Sequence, residues 1–268
     1  MQNTASAIIS TSKACENDAA GGLYYYRVGR GNDVLVFLHG VVGAGMLDFA
    51  PQLQSQLMLD QFDMIAIDLR GCGKSRPPEK DFSGDFYRTD AADVASLMDS
   101  LKIRQYSVAG WSYGATVGLI LAAMRPDAVQ ALMVWGPIAY LERKIMDKVV
   151  KREHHSTWNP RILNRLVTFY AVDVAQSLWS GWIRGATRLV DERDGDICRD
   201  DVAMIECPTL VMHGCRDPLN AVHHVEFIKA NVRGPVAYHE FDEGRHEMHL
   251  DCADEFNRKV VEFFKNVR

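Results

Sequence analysis

The 268-residue chain lacks most of the features that mark a membrane, nucleic-acid or metal-binding protein. No apolar run reaches the roughly 18 to 20 residues that a bilayer span requires. Lysine and arginine total 30 against 35 acidic residues, a formal net charge of −5, and no basic run is long enough to track phosphates. Nucleic acid and a membrane span are therefore excluded as expected partners. The six cysteines, Cys15, Cys72, Cys198, Cys207, Cys215 and Cys252, contain no C-x-x-C pair and no zinc-like spacing. Free thiols in a reducing compartment are expected, with no metal. Internal repeats and low-complexity segments are also missing, which excludes array architectures. Residues 1–22 are rich in Ala, Ser, Thr and Asn and carry Lys13 but no arginine. That composition suits a loose tail better than a signal or transit peptide, so the cytoplasm is the expected compartment, with the mitochondrion left open.

What remains is an ordinary globular composition, 47% apolar and 24% charged, patterned for an α/β domain. Short apolar runs at 23–26, 34–38, 64–67, 106–109 and 130–134 read as strands of a mainly parallel sheet. Residues 49–59 and 89–101 carry apolar residues at helical spacing. The rhythm breaks at Gly136-Pro137. From 138 to 204 the chain turns helical and tryptophan-rich, with Trp158, Trp179 and Trp182. Strand, helix, strand and helix then resume at 207–213, 221–232, 236–241 and 253–267. The expected organisation is a tail at 1–22, a core at 23–137 and 205–268, and a helical lid at 138–204. An all-helical insertion of this kind covers the C-terminal ends of the strands, where open sheets bind ligands, and its three tryptophans are candidate substrate-binding residues.

Gly110-Trp111-Ser112-Tyr113-Gly114 lies between a buried strand and a packed helix, the setting in which G-x-S-x-G presents a nucleophile on a strained turn. A serine hydroxyl needs a base, and the base needs a carboxylate to orient it. Asp217 follows the strand at 207–213, and His246 follows the strand at 236–241, so both fall at the same sheet edge as Ser112. His249 competes with His246 for the base role, but His246 directly follows the glycine loop. His246, His249 and Asp251 do not have H-E-x-x-H spacing, which argues against metal. For the oxyanion, the backbone amides of Tyr113 and of Val41, in Leu38-His39-Gly40-Val41-Val42-Gly43, are the expected donors, with Val42 next. Asp68-Leu-Arg70-Gly71-Cys-Gly73-Lys-Ser75 is too short for a phosphate loop and reads as a brace around the site.

Together H-G-x-x-G, D-x-R-G-x-G-x-S, G-x-S-x-G, H-G-x-x-D-P and a late G-x-H resemble the α/β-hydrolase superfamily. Asp48-Phe-Ala-Pro-Gln-Leu53, Ser75-Arg-Pro-Pro78 with Asp81-Phe82, Gly195-Asp-Ile-Cys-Arg199, and Glu243-Gly-Arg-His-Glu-Met-His-Leu250 leading to Ala253-Asp-Glu-Phe-Asn257 extend the resemblance to the valacyclovir hydrolase (biphenyl hydrolase-like) family. The resemblance implies an α/β-hydrolase fold, a mostly parallel sheet with helices on both faces and a helical lid inserted after the sixth strand. It also implies a monomeric, cofactor-free serine hydrolase acting on esters of α-amino acids, with Ser112, Asp217 and His246 as its triad. In that family an aspartate follows the nucleophile and holds the substrate's ammonium group. Here that position is Tyr113, whose phenol can accept a hydrogen bond or offer a π face to a cation. The expected activity is hydrolysis of a small-molecule carboxylic ester through an acyl-serine. Hydrolysis of a thioester, a lactone or a carbon–carbon bond is the alternative within enzymes, and a non-catalytic ligand-binding protein of the same fold is the alternative outside them.

Overall fold

A computed structural model describes residues 22–219 and 222–267. The expected N-terminal tail, save Gly22, and Cys15 lie outside the described residues. So does Ala221, the first residue of one expected helix.

Among the described residues seven strands form one sheet: β1 (Tyr25–Gly29), β2 (Asp33–Leu38), β3 (Phe62–Ile67), β4 (Tyr106–Trp111), β5 (Val129–Trp135), β6 (Thr209–Gly214) and β7 (Val236–Phe241), in the order β1-β3-β2-β4-β5-β6-β7. Only the β1–β3 pairing is antiparallel, and β2 through β7 run parallel. The helices are α1 (Gly45–Leu53), α2 (Gln56–Gln61), α3 (Phe86–Ser100), α4 (Tyr113–Met124), α5 (Arg143–Val150), α6 (Pro160–Leu166), α7 (Val172–Arg193), α8 (Arg199–Val202), α9 (Val222–Asn231), α10 (Met248–Asp251) and α11 (Ala253–Asn266). No helix among the described residues is long and apolar enough to cross a membrane.

Continuous apolar strands arise because both sheet faces are covered, and the two-residue period then sorts side chains between them. In β2, Leu35 and Phe37 join a core with α1, α2 and α11, whereas Val36 and Leu38 join one with α3, α4 and the lid. Strand β5 divides likewise, with Met133 and Trp135 on the first face and Leu132 and Val134 on the second. The expected helix at 49–59 is two helices. The two meet at Gln54 and Ser55, and within α1 the chain also leaves helical angles at Phe49, two residues before Pro51.

Between β5 and β6 the described chain is helical, apart from an isolated bridge between Tyr140 and Asp196. Among the described residues this lid follows the fifth strand, not the sixth. Five strands, β1 to β5, precede it, and β6 and β7 follow.

Candidate active site

Parallel strands deliver their following loops to one edge, and here that edge gathers the loops after β2, β4, β5, β6 and β7. Ser112 stands at the junction of β4 and α4 with φ +53° and ψ −114°, a conformation that non-glycine residues rarely adopt and that the surrounding structure must hold. Both flanking glycines are required by close approach. A Cβ on Gly110 would lie 2.4 Å from the Gly114 carbonyl oxygen, and one on Gly114 would lie 2.1 Å from that of Leu38. Ser112 is half-buried between two buried neighbours.

His246 Nδ1 lies 2.7 Å from Asp217 Oδ2, and the side chains are 15% and 3% exposed. A carboxylate at Nδ1 fixes the proton there and leaves Nε2 as the acceptor. The imidazole is seated against the elbow from both sides. Ser112 N–H donates to the Trp135 carbonyl at 2.9 Å, and a Cβ on the next residue, Gly136, would fall 2.8 Å from His246 Cε1. Trp111 donates its indole N–H to the His246 carbonyl at 2.8 Å. The Ser112 turn, His246 and Asp217 thus lie at one sheet edge, with His246 packed beside the turn.

His249 lies elsewhere. Its ring is wholly buried among Phe49, Trp111, Trp135 and Phe256, and its Nδ1 accepts the Trp135 indole N–H at 2.9 Å. Burial and the nearby Arg165 guanidinium push its pKa well below the usual value. It remains a neutral packing residue.

The loop after β2 is fixed by two buried side chains. His39 receives the Leu69 N–H at Nε2 (3.0 Å), so its Nδ1 proton is directed to the Gly40 carbonyl at 2.7 Å. Asp48 Oδ2 accepts the Gly40 N–H at 3.2 Å. With the Gly40 amide taken, Val41 supplies the next amide in the loop. Tyr113, first residue of α4, has an N–H without an intrahelical acceptor, at the positive end of the helix dipole.

The Tyr113 side chain does not lie where the sequence suggests. It is 4% exposed, stacked on Tyr87 with centroids 4.6 Å apart, and its hydroxyl donates to Asp90 Oδ2 at 2.6 Å. Asp90 is in turn ion-paired with Lys80, whose side chain is also buried. Apolar surroundings on α3 and an anionic acceptor draw the phenol inward, and burial together with Asp90 raises its pKa well above the usual range. Its ring therefore belongs to the core against α3.

The three lid tryptophans form a ladder toward that tyrosine. Trp158 meets Trp179 edge-on at 6.5 Å, Trp179 stacks on Trp182 at 5.1 Å, and Trp182 donates its N–H to the Tyr87 hydroxyl at 2.9 Å. A cavity of about 330 Å³ opens beside them, between Arg76, Glu79 and Lys80 and the α7 residues Asp173, Val174, Ser177 and Leu178. None of the tryptophans is among its lining residues.

Arg165 was not foreseeable from spacing. From lid helix α6 it reaches Asp48 (2.5 Å) and Glu247 (2.7 Å), and it lies 5.7 Å from the Trp111 ring centroid. One guanidinium thereby links the lid to the carboxylate that holds Gly40 and to the neighbour of His246. The one sequence signal was the acidic residue directly after His246, which asks for a cation without saying which. Asp68 behaves as the expected brace, accepting the amides of Gly45 (2.7 Å) and Lys74 (2.8 Å).

A family model described as the alpha/beta hydrolase fold matches residues 33–253. "Serine hydrolase BPHL" of Mus musculus is 38% identical over 243 residues, covering 91% of this chain and 83% of that protein. The Homo sapiens protein of the same name is 35% identical over 263 residues, covering 97% and 89%. Among solved structures, the enol-lactonase from Burkholderia xenovorans LB400 superposes with a TM-score of 0.68 at 22% identity, covering 91% of this chain and 96% of that one. The 2-hydroxy-6-oxo-6-phenylhexa-2,4-dienoate hydrolase from Rhodococcus sp. strain RHA1 gives 0.74 at 16% identity, covering the same shares, 91% and 96%. At such identities the superpositions speak to the fold alone, whereas the long matches to the mouse and human proteins speak to kinship. The chain belongs to the alpha/beta-hydrolase fold family and, with those relatives, to its serine hydrolases.

Proposed function

We propose that this enzyme hydrolyses small carboxylic esters through an acyl-serine intermediate, with Ser112 as nucleophile, His246 as base and then acid, and Asp217 orienting His246. The observation that carries the reading is the 2.7 Å contact of Asp217 with His246 Nδ1, beside a serine held at positive φ. His246 Nε2 takes the Ser112 proton as Oγ bonds to the ester carbonyl carbon. The amides of Tyr113 and Val41 hold the oxyanion. Collapse breaks the bond to the leaving alcohol, which receives the proton from His246. Water then enters by the same route in reverse and releases the acid. No step calls on a cofactor.

In this reading the aromatic residues Trp158, Trp179 and Trp182 supply apolar surface to the substrate pocket. A cation-selective acyl pocket has little support, because Asp90, the carboxylate bonded to Tyr113, is already paired with Lys80. Acyl groups without an α-amine are therefore the favoured substrates, and α-amino-acid esters gain no ion pair there.

A fluorophosphonate probe tests the nucleophile. Wild type should be labelled and Ser112→Ala should not. Equal labelling of both removes Ser112 from the role, and no labelling of the folded wild type favours a non-catalytic protein. A panel of p-nitrophenyl esters with and without a free α-amine then tests the acyl preference.

A further inference from the structure

Away from the elbow, Glu142, His223 and His224 each bring one donor atom to within 4.8 Å of the others. His223 Nε2 is 2.9 Å from Glu142 Oε2, and His224 Nε2 is 4.0 Å from the same oxygen. A tetrahedral ion with bonds of about 2.0 Å spaces its ligands about 3.3 Å apart, between those two values. We propose that these three side chains bind a divalent first-row transition-metal ion of the zinc class, with solvent completing its shell. Two imidazoles and one carboxylate suit zinc, cobalt, nickel or copper better than the oxygen-seeking magnesium and calcium.

A surface hydrogen bond accounts for His223 but not for His224. At 4.0 Å the second imidazole is beyond hydrogen-bond reach of Glu142, yet its ring is 5% exposed and its Nδ1 has no partner among the described residues. The ring turns its other nitrogen, Nε2, toward a carboxylate that its neighbour already engages, an arrangement accounted for by an ion shared among all three. The rings are also held in place. Tyr140 lies 6.3 Å from His223 and 4.8 Å from His224, with Phe227 edge-on to it and the Arg199 guanidinium 4.4 Å from its centroid. His223 and Glu142 are half-exposed, which leaves a path for the ion and room for water.

The site joins parts of the fold that must keep register. Glu142 caps α5, the first lid helix, and the preceding Leu141 receives the backbone of the lid's far end, its N–H donating to the Gly195 carbonyl at 2.8 Å. His223 and His224 begin α9, the helix after the loop that carries Asp217. An ion here fastens the root of the lid to the element behind the catalytic acid. Spacing conceals the site, since Glu142 and His223 are 81 residues apart in sequence.

The full chain, stripped with a chelator and titrated with cobalt(II), tests this. One ion per chain should bind with visible d–d absorption of a nitrogen and oxygen environment, and zinc(II) should displace it and raise the melting temperature. His223→Ala and Glu142→Gln, both at half-exposed positions, should keep the far-UV circular dichroism and weaken binding by about tenfold or more. No saturable uptake overturns the proposal. So does equal uptake by both variants, or a thiolate-to-cobalt charge-transfer band, which places the ion on cysteine.

Discussion

Trp111 and His246 are joined twice, by the indole N–H donated to the His246 carbonyl at 2.8 Å and by ring packing at 5.5 Å between centroids. The residue before Ser112 therefore fixes where the His246 imidazole sits. Trp111→Phe keeps an aromatic body and removes the donor. Leaving the carbonyl without its partner costs about 1 kcal/mol or more. A fall in kcat of about fivefold or more with little change in KM is expected. Steady-state kinetics on a p-nitrophenyl ester check it, and a change confined to KM contradicts this positioning role.

Arg165 presents a test of lid coupling. Arg165→Met leaves Asp48 wholly buried without its cation, a loss of about 3 kcal/mol, at the low end for such pairs because the guanidinium is 21% exposed. Urea unfolding measures the loss. Activity should drop further than stability predicts, because Asp48 also holds the Gly40 amide. A fully active variant disproves the link between lid and oxyanion loop.

Tyr113→Phe removes the hydroxyl that Asp90 accepts and should destabilise the fold by about 1 to 2 kcal/mol without altering the preference between amine-bearing and plain esters. Tyr113→Asp places a second carboxylate beside Asp90 and Lys80, so reduced stability is expected first. Any gain in amine preference should be largest when Asp90→Asn is combined with it. Denaturation and the ester panel together distinguish these outcomes.

His249 makes stability depend on pH. Its folded-state pKa is depressed well below the usual 6.5, while the unfolded chain titrates near that value. The unfolded state therefore binds more protons below about pH 6.5, so this contribution is full above that pH and declines on acidification toward the folded pKa. Melting temperatures of wild type measured from pH 7.5 to 5 should fall, and His249→Gln should flatten that slope. An equal slope in both removes His249 as the cause.

The strands and the Ser112 turn are legible in the sequence because their requirements are local. Gly110 and Gly114 are dictated by approaches of 2.4 and 2.1 Å, and Asp217 and His246 fall where strands end. The choice of His246 over His249 also rested on position, just after a glycine loop. What escaped depends on distant partners. The direction of the Tyr113 ring is decided by Asp90 and Tyr87 on α3, and Arg165 finds Asp48 across 117 residues of sequence. The break near Pro51 was visible in principle, but the apolar spacing continues across it and reads as one helix.

The double grip of Arg165 makes one side chain of α6 answerable for two separate loops. A displacement of α6 far enough to free that guanidinium also strips the counter-ion from the carboxylate steadying the Gly40 amide, so loosening of that helix is felt in the loop after β2.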